Sequence, residues 1–83
     1  MIDELRAQIT AEDEAILDAV NGRLELVAKL KAHKEARGID FVDAAREEQL
    51  LAHLAQVNTG PLSGDGLRTF FTALLALVKR ELP

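Results

Sequence analysis

The chain has 83 residues with no Cys, Trp or Tyr, 29% charged side chains and a net charge of −4, which describes one small domain. That balance excludes a disulfide framework and a thiolate metal centre, and it disfavours nonspecific nucleic-acid binding. No apolar run nears the ~20 residues that span a bilayer, and MIDELRAQ lacks the basic start and apolar core of a signal peptide, so no membrane partner and a cytoplasmic setting are expected.

Residues 2–34 read as one helical pattern. Ile2, Leu5, Ile9, Ile16, Val20, Leu24, Val27 and Leu30 recur at steps of three and four or their sums. Asp3 suits an N-cap, with Glu4 in the first turn. Asn21-Gly22 is a turn signal, yet the apolar phase continues across it. This predicts an unbroken helix that tolerates Gly at a cost of roughly 1 kcal/mol. Such a helix is ~50 Å long, whereas a compact monomer of this size is ~30 Å across. It is too long for the body that one copy can wrap around it, and so small a chain is marginal without good packing or oligomerisation.

Gly38 is placed to end this helix, and Gly38-Ile39-Asp40-Phe41 makes a short connection. A second helix is predicted from about residue 42 or 43 to 57. Leu50, Leu51, Leu54 and Val57 form its apolar face, and Asn58-Thr59-Gly60-Pro61 ends it. A third begins near Ser63, a good cap, with Asp65 in its first turn. Leu67, Phe70, Phe71, Leu74, Leu75 and Val78 make it the most hydrophobic segment, expected to be well buried, within the chain or against a second subunit. Nothing reads as a strand, a repeat or a linker. The expectation is an all-α fold with one long helix and two shorter ones, in a single domain spanning 1–83.

Arg23, Val27, Leu30 and Lys34 fall at i, i+4, i+7 and i+11. At ~100° per residue, Arg23 and Lys34 lie only ~20° apart around the helix. Cations on an apolar stripe either snorkel, with charges in water, or pair with something. The second helix sets Asp43, Glu47, Leu50 and Leu54 on one face, with Arg46 beside it. Taken singly, Asp43 and Glu47 read as helix-start charges, Arg46 as a surface ion pair and Arg6 as a solvated first-turn charge. Taken together, they suit a small polyanion carrying a hydroxyl, since Arg forks hold carboxylates and a Glu accepts from a hydroxyl. There is no nucleophile–base pair, metal set or phosphate loop, and His33 and His53 read as surface residues. No cofactor or metal is expected. An enzyme built this way works by positioning and electrostatics, without a covalent step.

These motifs resemble the all-helical class of chorismate mutases. LRAQITAEDEAILDAVNGRLELVAKLKAHK is similar to that family's first helix, with an early Leu-Arg, a central Arg and a Lys eleven residues on. FVDAAREEQLL is similar to its second motif, an Asp followed three residues later by Arg-Glu and then Leu-Leu. The likeness covers nearly the whole chain, although only the first two helices carry specific motifs. It implies an intertwined helical homodimer whose long first helices cross between subunits. It also implies the rearrangement of chorismate to prephenate, a pericyclic step on a dianion in phenylalanine and tyrosine biosynthesis. On this resemblance, Arg6 of the partner subunit and Arg23 hold the two carboxylates, and Lys34 binds a carboxylate and the ether oxygen. Glu47 takes the ring hydroxyl with help from Asp43, and Arg46 supports the site.

The third helix departs from the family pattern, which has a small polar residue and, four residues later, a Gln that donates to the ether oxygen. Aligned on Phe71 these positions are Val78 and Leu82; aligned on Phe70 they are Leu77 and Glu81. Glu81 could stand in for the Gln only when protonated; otherwise it reads as a solvated end-of-chain charge. With no donor the isolated enzyme should be slow, and another shikimate-pathway enzyme is then the implied activating partner. Isochorismate pyruvate lyase and aminodeoxychorismate mutase are alternatives on the same scaffold. A noncatalytic, metabolite-binding helical dimer is the alternative of a different class.

Overall fold

A computed structural model describes every residue, Met1–Pro83. Three α-helices account for its regular structure: α1 (Ile2–Ala36), α2 (Ala44–Val57) and α3 (Gly64–Glu81), with no strand. The chain divides into two compact units, Met1–Ile39 and Asp40–Pro83. No helix is long and apolar enough to cross a membrane.

The first unit is essentially α1. Its helix runs unbroken through Asn21-Gly22, as the continuous apolar phase predicts. Its start differs from the expected one. Met1 is the N-cap and makes no side-chain cap bond, while Asp3 lies inside the first turn with Glu4. The Leu5 amide already donates to the Met1 carbonyl at 3.0 Å, so the helix begins ahead of Asp3. There the carboxylate acts through the helix dipole and not as a cap.

The end of α1 is a Schellman turn. Ile39 N–H donates to Lys34 O at 2.9 Å and Gly38 N–H to Glu35 O at 3.2 Å. Gly38 adopts φ +67°, the left-handed conformation that this turn needs and that a Cβ disfavours. No residue of α1 is buried. Val20, Arg23, Leu24, Val27, Lys31 and Lys34 are half-buried and share one side of the helix. Ile2, Leu5, Ile9, Ile16, Leu17, Leu26 and Leu30 stay largely in solvent, between 48% and 66% exposed.

The second unit is the α2–α3 pair. Asp43 caps α2, its Oδ1 accepting from the Arg46 amide at 3.0 Å, and Ser63 caps α3, its Oγ accepting from the Gly66 amide at 3.0 Å. Between them Asn58 organises the connection. Its Oδ1 accepts from Gly60 N–H at 3.2 Å and its Nδ2 donates to Leu62 O at 2.9 Å. Leu51 of α2 and Leu67, Leu74 and Val78 of α3 form the core.

This core is narrower than the sequence suggests. Leu67, Leu74 and Val78 lie within ~40° of one another around α3. Phe71 and Leu75 flank them and are half-buried, while Phe70 is 48% exposed and meets the edge of Phe71 with centroids 5.2 Å apart. Within the single chain, the expected burial of this segment is met by three of its residues. One α2 helix covers only a narrow stripe of α3.

Candidate functional site

On α1 the basic residues are distributed by helix geometry. Arg23 and Lys34 are both half-buried, ~20° apart around the axis and about three turns apart along it. Arg23 is unusual within the chain. Its Nη1 is shut off from solvent and has no hydrogen-bond partner. A buried polar group left unpaired costs ~1–3 kcal/mol, and more when it is charged. Lys34 stands in the last turn of α1, and its carbonyl receives the two amides of Arg37 and Ile39. The Gly38 turn thus fixes the backbone from which the Lys34 side chain projects.

Arg6 is exposed near the other end of α1. It precedes Arg23 by seventeen residues, which is ~25 Å along the axis and ~100° around it. No side chain spans that gap. Arg6 and Arg23 of the same chain cannot hold the same small molecule.

The start of α2 brings Asp43, Arg46 and Glu47 into one turn. Asp43 is exposed, and one of its oxygens is used in capping, as is usual for an Asp at this position. Arg46 is also exposed, and its amide is the one that Asp43 caps. Glu47 is the most sheltered of the three, with its side chain 25% exposed. Its Oε1 accepts from Lys79 Nζ at 3.1 Å, a contact that links the start of α2 to the end of α3. A parallel pair joins Arg68 Nη2 to Glu48 Oε1 at 2.8 Å, but both of those side chains are mainly in solvent.

Glu81 is exposed at the last residue of α3. Neither third-helix alignment considered from sequence includes the residue that reaches Glu47. Val78 is spent in the core at 4% exposure, and Lys79, one position on, emerges beside Glu47. A signal for Lys79 was present in the sequence. Arg68, Phe71, Leu75 and Lys79 repeat the pattern of an Arg and a Lys eleven residues apart on an apolar stripe.

No group of three or more His, Cys, Asp or Glu side chains is placed to hold a metal ion. A shallow hollow on α3, lined by Asp65, Arg68, Thr69, Thr72, Ala73 and Ala76, is built from one helix and includes none of the candidate residues.

What these side chains offer is two cations on one stripe, one of them with an unanswered N–H, and a carboxylate held by a lysine. No curated protein matches the chain. Residues 5–81 match the family described as chorismate mutase type II, a span that runs from ahead of Arg6 to Glu81, and the chain belongs to that family.

Proposed function

We propose that this protein is a chorismate mutase that works as a homodimer, converting chorismate to prephenate on the route to phenylalanine and tyrosine in the cytoplasm. The observation that carries the reading is the buried, unpartnered Nη1 of Arg23 on the same stripe as Lys34. A dianionic substrate supplies the acceptor that this guanidinium lacks. The family match across both units supports treating 1–83 as one functional domain.

In the proposed mechanism one C–O bond breaks and one C–C bond forms within the same molecule, with no proton transfer. Arg23 and Arg6 of the partner subunit hold the two carboxylates and so restrain a flexible dianion in its reactive shape. Lys34 faces the ether oxygen, where negative charge grows as the C–O bond stretches. An interaction that strengthens along this path lowers the barrier, because it favours the transition state over the ground state. Glu47 accepts from the ring hydroxyl, with Asp43 and Arg46 bordering it.

Two features of α1 support the dimer. Its stripe of large apolar side chains is exposed, more than a stable small chain usually leaves in water. Acidic residues dominate its first half (Asp3, Glu4, Glu12, Asp13, Glu14 and Asp18 against Arg6) and basic ones its second (Arg23, Lys29, Lys31 and Lys34 against Glu25 and Glu35). Two antiparallel copies therefore match in charge as well as in apolar surface. Such pairing also brings in an Arg6 from outside the chain, which the ~25 Å separation on one helix requires. Because α3 lacks an amide donor at either aligned position, the isolated dimer should be slow. A shikimate-pathway enzyme acting as activating partner would then raise its rate.

Incubating the purified protein with chorismate, following its disappearance and identifying the product tests the reading. Prephenate is expected; unchanged chorismate, or pyruvate release, would sink it. Sedimentation at several concentrations tests the dimer separately.

A further inference from the structure

We propose that Lys79 is a positioning residue for this reaction, holding Glu47 in the orientation that receives the substrate hydroxyl. The inference rests on the functional reading above, which makes Glu47 the hydroxyl acceptor. Glu47 has three side-chain torsions, and fixing them for binding carries an entropic cost unless a neighbour has already done so. Lys79 is that neighbour. Its ammonium donates to Oε1 at 3.1 Å and leaves Oε2 available to a ligand.

The placement follows from packing. Val78 is anchored in the α2–α3 core, so the next residue is set at the rim of that interface, opposite the first turn of α2. The Lys79 side chain is 42% exposed and that of Glu47 25%, so the pair is sheltered yet reachable by a solute. An exposed ion pair of this kind adds only ~0–1 kcal/mol to stability. Its contribution is to geometry, and its loss should appear in catalysis more than in folding. Glu48 and Arg68, the neighbouring pair, are each at least 60% exposed and provide the control.

The test is a double-mutant cycle with chorismate as substrate. Lys79→Met is made in the parent and in a Glu47→Gln background, alongside Lys79→Arg and Arg68→Met. In the parent, Lys79→Met should lower kcat/KM about tenfold, the scale of one charge-assisted hydrogen bond. Lys79→Arg should restore most of that loss. In the Glu47→Gln background the same Lys79→Met change should cost less than about twofold, because the residue acts through Glu47. Arg68→Met should leave kcat/KM within about twofold of the parent.

A Lys79→Met loss of equal size in both backgrounds overturns the assignment, and so does no loss in the parent. Thermal unfolding of each variant checks the fold; should Lys79→Met fail to fold, Lys79→Gln is read in the same cycle. A parent that leaves chorismate unchanged overturns this inference together with the reading beneath it. An active parent with an uncoupled Lys79 overturns this inference alone.

Discussion

The two units solve the stability problem in opposite ways. The α2–α3 pair has side-chain caps on both helices, an Asn-organised turn and a core of four buried residues. Helix α1 is about twice as long as either, starts without a side-chain cap and buries none of its residues. Isolated helices draw little stability from propensity alone, and most of it comes from packing an apolar face. A 35-residue helix whose large Ile and Leu side chains are mostly exposed therefore has apolar surface still to cover. On the proposed function the pair is scaffold, while α1 is a surface for other molecules: a second copy along its apolar stripe and an anion along its cations.

The largest expected effect tests that division at its chemical end. Lys34→Ala should reduce kcat/KM on chorismate by at least the ~2.7–4 kcal/mol of a lost oxyanion-hole donor, about 100- to 1000-fold. The unfolding temperature should hardly move, since Lys34 belongs to no core. A loss below about tenfold would remove Lys34 from the transition state; a collapse of helicity would make α1 scaffold after all.

Next comes the apolar stripe. Ile9 is 61% exposed in the single chain, and a charge there would be nearly neutral if α1 stayed alone. In a paired helix, Ile9→Lys removes ~1.5–3 kcal/mol of burial per copy and adds a buried charge. Sedimentation should shift toward monomer, and activity should fall with dilution. A variant that sediments and reacts as the parent does would refute the pairing of α1.

A smaller effect lies in the other unit. Asp43→Ala removes the cap of α2 at a cost of ~1 kcal/mol. Since Asp43 also borders the proposed hydroxyl site, Asp43→Asn separates its two roles. Asn caps as well as Asp does, so stability should recover fully; any remaining loss of kcat/KM reports the charge. If Asn restored both, Asp43 would be a cap only.

Legibility in the sequence followed the range of each interaction. The Schellman glycine at Gly38, the Ser63 cap and the continuity of α1 depend on residues within a few positions of one another, and all three were readable. Asp3 was misread because two plausible starts lay within two residues, and the Met1 carbonyl was as good an acceptor as any. The exposure of Phe70 was hidden because hydrophobicity shows that a segment is apolar, not how wide an arc its neighbour covers. The partner of Lys79 is hidden for a stronger reason, although the place of Lys79 on an apolar stripe is readable. Lys79 meets Glu47 across thirty-two positions of sequence, and that meeting depends on how α2 and α3 pack. Helical periodicity pairs Arg23 with Lys34 on α1 and Asp43 with Glu47 on α2, whereas joining them with Arg6 and Arg46 into one site rests on the family resemblance.

The smallest expected effect concerns the middle of α1. A Cβ built on Gly22 meets nothing within 4 Å, and its backbone is ordinary right-handed helix. Gly22→Ala should therefore gain up to ~1 kcal/mol from helix propensity, raising helicity and the unfolding temperature. Gly38→Ala provides the opposite sign, because its φ of +67° strains any residue with a Cβ although the space around it is equally open. The two substitutions share chemistry and free space and differ only in backbone conformation. Gly22 also adjoins Arg23, so its outcome bears on the pairing of α1. A gain measured in dilute, monomeric protein that disappears at high concentration would mean that a second helix approaches Gly22 more closely than a methyl group allows. A gain at every concentration would mean that no second helix packs against Gly22.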